Sequence, residues 1–124
     1  MKDFINRWMT RNAQCQALLA CGIRHPDDTT FNQTLSSGFP EASLNTSWNC
    51  IAEAFSFLRQ QEPDTAQLCW SFENHRVYAA IRADQTCLGL ITKIGTSTAD
   101  FTAIEKILSE FRSLRCPVAR KAMA

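Results

Sequence analysis

Ala66-Gln67-Leu68-Cys69-Trp70-Ser71-Phe72-Glu73 passes through Asn74-His75 into Arg76-Val77-Tyr78-Ala79-Ala80-Ile81-Arg82, and Asp84-Gln85 then leads into Cys87-Leu88-Gly89-Leu90-Ile91-Thr92-Lys93-Ile94. The three apolar runs read as consecutive antiparallel strands, closed by an amphipathic helix over about 100–115. A two-residue turn at Asn74-His75 pairs Glu73 with Arg76, Phe72 with Val77, Trp70 with Ala79 and Leu68 with Ile81. A two-residue turn at Asp84-Gln85 pairs Ile81 with Leu88 and Ala79 with Leu90. Strand side chains alternate between faces, and a one-residue slip sends a whole strand's set to the other side. In this register Leu68, Trp70, Phe72, Val77, Ala79, Ile81, Leu88 and Leu90 share one face. Cys69, Ser71, Tyr78, Ala80, Cys87, Gly89 and Ile91 share the other. Both faces can be covered, which predicts helices on both sides of the sheet.

Working outward, residues 2–13 place Phe4, Ile5, Trp8 and Met9 on one helical face. Cys15 to Ile23 is apolar at nearly every position, as in a central strand buried on both faces. Arg24-His25-Pro26-Asp27-Asp28 is a turn, and the polar, β-prone 29–35 suits an edge strand paired to the first. Ser36-Ser37-Gly38-Phe39-Pro40 breaks the chain before the longest helix, 43–61. One stripe of that helix is Leu44, Trp48, Ile51, Phe55 and Leu58; a second, shifted stripe is Cys50, Ala54 and Phe57. An apolar arc this wide needs two partners, the sheet and something else, and a second copy of the chain is one such partner. Thr98 or Asp100 caps the last helix, whose buried side is Phe101, Ile104, Ile107, Leu108, Phe111 and Leu114. Residues 1–115 thus read as one domain and 116–124, opening on Cys116-Pro117, as a flexible C-terminal tail.

Composition narrows the function. With 45% hydrophobic residues in 124, the chain can bury a core. Its net charge of +1 offers no bulk attraction to nucleic acid or to an acidic membrane. No apolar run approaches the ~20 residues of a membrane span. Leu18-Leu19-Ala20-Cys21 only faintly resembles a lipoprotein box, because Arg11, Asn12, Gln14 and Gln16 interrupt the run before it. Cysteines 15, 21, 50, 69, 87 and 116 lie within apolar patterns and without a secretion signal, so buried reduced thiols and a cytoplasmic location are expected.

Candidate chemistry is sparse. His25 and His75 both fall in turns, with no partner at catalytic or metal spacing, and are expected at the surface. No Cys-x-x-Cys occurs, so neither a metal site nor a redox pair is expected, and no cofactor is expected. Gly95-Thr96-Ser97-Thr98 precedes a helix but lacks the Gly-Lys of a phosphate loop; capping explains it. Arg112, Arg115, Arg120 and Lys121 bias the C-terminal end towards basic, in keeping with cations at a helix C-terminus.

The order helix, two strands, long helix, three strands, helix, together with Trp70-Ser71-Phe72-Glu73-Asn74-His75-Arg76-Val77-Tyr78-Ala79-Ala80-Ile81-Arg82-Ala83-Asp84, resembles the Roadblock/LC7 family. Residue-level likeness is concentrated in 66–94. The resemblance implies an α+β, three-layer α/β/α fold with a five-stranded antiparallel sheet in the order 2-1-5-4-3. It further implies a non-catalytic dimer, a homodimer here, acting as a regulator or scaffold for a small GTPase or signalling complex. The long helix and the third strand would meet the partner copy. The interface residues it points to are Trp48, Ile51, Phe55, Leu58, Trp70 and Phe72. A small-molecule sensor of the PAS type has the same sheet order, but carries several short helices where 36–65 here holds one long helix.

Overall fold

The computed structural model describes residues 2–115. The elements are α1 (Lys2–Asn12), β1 (Leu18–Arg24), β2 (Thr30–Thr34), α2 (Glu41–Leu58), β3 (Gln67–Ser71), β4 (His75–Ile81), β5 (Cys87–Lys93) and α3 (Thr98–Ser113). The five strands form one antiparallel sheet in the order β2-β1-β5-β4-β3. The expected tail at 116–124, with Cys116, Arg120 and Lys121, lies outside the described residues.

Two apolar clusters sandwich the sheet. On one face Leu18, Cys21, Ile23, Tyr78, Ala80, Leu88 and Leu90 meet Ile5 and Met9 of α1 and Ile104, Ile107, Leu108 and Phe111 of α3. On the other, Ala20, Ala79, Ile81, Cys87 and Ile91 meet Leu44, Trp48, Ile51 and Phe55 of α2. The layers are therefore α1 and α3, sheet, and α2. Ser97 begins α3 by accepting a hydrogen bond from the Asp100 backbone N–H at 3.1 Å, which satisfies one of the first-turn donors.

Both hairpin registers differ from the sequence expectation, with different consequences. In the first, Trp70 pairs Val77 and Leu68 pairs Ala79, because the turn is centred on Glu73-Asn74 and the Phe72 N–H reaches the His75 carbonyl at 2.8 Å. That is a slip of two residues, so the faces survive but the Glu73–Arg76 pair does not form. In the second, Ile81 pairs Cys87 and Ala79 pairs Gly89. The loop holds three residues, Ala83-Asp84-Gln85, closed by the Arg82 N–H on the Thr86 carbonyl at 2.9 Å, with Gln85 at φ 75°. This is the turn-plus-bulge form of a three-residue hairpin. A slip of one residue flips β5. Leu88 and Leu90 accordingly face α1 and α3, while Cys87, Gly89 and Ile91 face α2.

The flip explains how α2 docks. Gly22 and Gly89 are cross-strand partners, and the Trp48 indole lies over both. A Cβ on Gly22 would fall 2.0 Å from Trp48 Nε1, and one on Gly89 2.3 Å from Trp48 Cζ3. The two glycines thus make the slot the ring occupies. The indole N–H donates to Asn32 Oδ1 at 2.5 Å. Asn32 Nδ2 and the Thr30 hydroxyl both donate to Asn45 Oδ1, at 2.7 and 2.8 Å. Polar β2 residues therefore tie the edge strand to α2 and leave the buried indole N–H satisfied.

Candidate interaction surface

Antiparallel pairs alternate between residues that exchange both backbone hydrogen bonds and residues that exchange none. The Phe72 N–H bonds the His75 carbonyl, and the Ile81 N–H bonds the Ala66 carbonyl at 3.0 Å. Even-numbered residues of β3 therefore spend their backbone groups on β4. Those of Gln67, Cys69 and Ser71 point away from the sheet, at an edge that no strand among the described residues covers.

Beside this edge, Thr46, Ser47, Cys50, Ile51 and Ala54 of α2 and Trp70, Phe72 and Val77 of the hairpin enclose a largely apolar groove of about 380 Å³. Phe57 is 63% exposed and Phe72 57%, and Leu58 is also exposed. The helix wall has small side chains along much of its length, so another backbone can approach closely. Such a surface, apolar and next to open strand donors and acceptors, fits a protein partner better than a substrate.

No family model matches the sequence, and no curated protein is similar to it. Solved structures are similar. The Roadblock/LC7 domain from Streptomyces avermitilis superposes with a TM-score of 0.65 at 12% identity, over 98% of both chains. Myxococcus xanthus MglB gives 0.63 at 15% identity, over 88% of this chain and 85% of that one. The gliding protein MglB from Thermus thermophilus gives 0.57 at 13% identity, over 90% of this chain and 84% of that one. The fold is Roadblock/LC7-like. At these identities the likeness speaks of architecture alone.

Within this Roadblock/LC7-like fold, the six residues expected at an interface divide in two. Trp48 (1% exposed), Ile51 and Phe55 (0%) are buried under α2 against the chain's own sheet. Trp48 and Phe55 have no surface left to offer, while Ile51, 5% exposed, still lines the groove. Leu58 and Phe72 are exposed, and Trp70 is half-buried at the groove. Of the second stripe, Cys50 and Phe57 are exposed and Ala54 is half-buried.

Other expected surface residues move as well. His25 is buried, with its Nε2 2.9 Å from Asn6 Oδ1 of α1. Burial lowers its pKa, with Asp27 and Asp84 opposing and Lys2 and the N-terminus adding to the effect. The cysteines also divide. Cys21 and Cys87 are buried, and burial pushes their thiols up to about 12 and about 11. Cys15 is half-buried, with its Sγ 3.3 Å from Asp100 Oδ1. Cys50 and Cys69, expected inside, are exposed: Cys50 lies on the side of α2 away from the sheet, and Cys69 on the edge strand, where α3 packs mainly on β4. Partial burial still raises the Cys69 pKa, against the opposing charge of Arg76.

A second cleft gathers Arg59, Arg82 and Arg112 near the C-terminal ends of α2 and α3. Arg82 Nη1 donates to the Phe111 carbonyl at 2.8 Å and its Nε to Asp84, while Arg112 donates to Gln67 Oε1 at 2.7 Å. Arg59 Nε donates to the Pro63 carbonyl at 3.2 Å. Arg82 thus serves the end of α3 and Arg59 the turn after α2, where carbonyls gather negative charge, while Arg112 ties α3 to the side chain of Gln67 on β3.

Proposed function

We propose that residues 1–115 form one non-catalytic, cytoplasmic protein-interaction domain that assembles as a homodimer through α2 and β3. In this reading it regulates or scaffolds a small GTPase or signalling complex. The observation that carries the dimer is the uncovered β3 edge beside an apolar groove flanked by exposed Phe57 and Phe72. Burying a phenylalanine side chain contributes roughly 1.5–3 kcal/mol. Two copies of each give a symmetric contact enough apolar content to offset much of the cost of association.

The GTPase part rests on the Roadblock/LC7 resemblance, and MglB is among the similar structures. Its test is a pull-down with the purified chain as bait against the small GTPases of the source organism, loaded with GDP or with a GTP analogue. Retention of one GTPase in a nucleotide-dependent manner supports the reading, and capture of none contradicts it. The sensor alternative draws no support from the core, since Tyr78 and Leu90 are packed beneath α1 and α3.

A further inference from the structure

We propose that the cleft near the C-terminal ends of α2 and α3 binds a small phosphate monoester, held by Arg59, Arg82 and Arg112. The inference is independent of the dimer and uses none of its contact residues.

The charge of the cleft selects an anion. Three arginines and the hydroxyl residues Ser109 and Ser113 line about 350 Å³, and no carboxylate is among the lining residues. Asp84 accepts from Arg82 Nε at 3.2 Å and offsets one of the three charges. Two helix C-termini add roughly −0.5 each, which still leaves the cleft positive. Arg82 also covers the Phe111 carbonyl at the end of α3.

The donors select phosphate. A guanidinium group presents five N–H donors in a planar fork. The protein uses only part of each fork here. Arg59 Nε donates to the Pro63 carbonyl at 3.2 Å, and Arg112 Nη1 donates to Gln67 Oε1 at 2.7 Å. Arg82 commits Nε to Asp84 and Nη1 to Phe111, and its side chain is only 10% exposed, so these bonds fix the direction of the whole fork. Arg59 Nη1 is buried and has no hydrogen-bond partner among the described residues. Native structures rarely leave a buried donor unpaired, least of all on a charged group. An acceptor seated in the cleft that Arg59 lines supplies that partner. A phosphate monoester brings three strong acceptor oxygens, against two on a carboxylate, and arginine forks pair such oxygens two at a time.

The size and the remaining wall select the rest of the ligand. Ala66, Ile81 and Ala83 form an apolar side beside the arginines. The volume lies at the lower end of small-molecule sites, ~300–1,000 Å³, and leaves room beyond a bare ion. A compact organic group on the phosphate fills that room. The cleft sits where β3 begins and β4 ends, at the opposite end of the hairpin from its turn at 72–74.

The experiment titrates the full chain by calorimetry with phenyl phosphate, inorganic phosphate and benzoate. Phenyl phosphate should bind at a single site per chain, at least about tenfold more tightly than benzoate, which keeps the ring but has one charge and two oxygens. Arg59→Gln and Arg112→Gln should each weaken phenyl phosphate at least about tenfold, and Arg59→Lys, which keeps the charge and loses the fork, should recover only part of the loss. Circular dichroism checks that each variant is folded; Arg112 is exposed, so its variant stays informative if Arg59→Gln fails to fold. No binding at millimolar phenyl phosphate, or undiminished binding by folded Arg112→Gln, overturns the site. Benzoate binding as tightly overturns the choice of phosphate, and inorganic phosphate binding as tightly overturns the organic group.

Discussion

Trp48 shows how one residue sets the position of a helix. Its ring needs two glycines, and they come from strands 67 positions apart in the chain, Gly22 and Gly89. Gly22→Ala or Gly89→Ala puts a methyl group inside the indole, so the ring and α2 must shift. A loss of about 1–3 kcal/mol is expected in urea unfolding, the usual cost of overpacking. An unchanged midpoint would mean that the ring does not occupy this slot. His25 makes a pH prediction. Its pKa is lowered in the folded chain from the ordinary 6.5. The unfolded chain therefore binds the proton more readily, and stability falls as pH drops from above 6.5 towards the folded value. The thermal midpoint should decline between pH 7 and 5, above the range where carboxylates titrate. His25→Gln should flatten that decline; an equal slope in the variant would assign it elsewhere. Neither residue's role was open to sequence reading. His25 looks like a turn residue because its contact, Asn6, is remote in sequence, and the glycine pair becomes visible only once the register is known.

At the scale of elements, the strands and helices were legible because apolar periodicity differs between strand and helix, and the sheet order came with the Roadblock/LC7 resemblance. The faces of β5 were not. Gln85 occupies a positive-φ position more often held by glycine, so nothing in the sequence announced a three-residue loop. For α2, periodicity found two stripes but could not say which one the sheet takes. Trp48, Ile51 and Phe55 are the bulky set, and the bulky set goes inward. In the proposed dimer the partner-facing set is then Cys50, Ala54 and Phe57, with Leu58, Trp70 and Phe72 beside it. Phe57→Glu and Phe72→Glu place charge on exposed positions, so each should leave folding within about 0.5 kcal/mol. Each should also weaken self-association at least tenfold by sedimentation equilibrium, about 1.4 kcal/mol. Dimers of unchanged affinity would exclude this surface. Phe55→Glu makes a poor probe of the interface, because it buries a charge in the core and unfolds the protomer.

For the whole molecule, the sheet is covered on one face by α1 and α3 and on the other by α2, yet among the described residues the β3 edge and the helix wall beside it stay open. A bare edge with flanking aromatics is an aggregation hazard unless another strand covers it. In the proposed dimer a second copy covers it symmetrically, with both α2 helices on the same side of a continuous sheet. The dimer is the central claim, and mass in solution tests it most directly. Light scattering of the reduced chain at micromolar concentration should return about twice the 14.0 kDa chain mass. A single-chain mass under those conditions would contradict it.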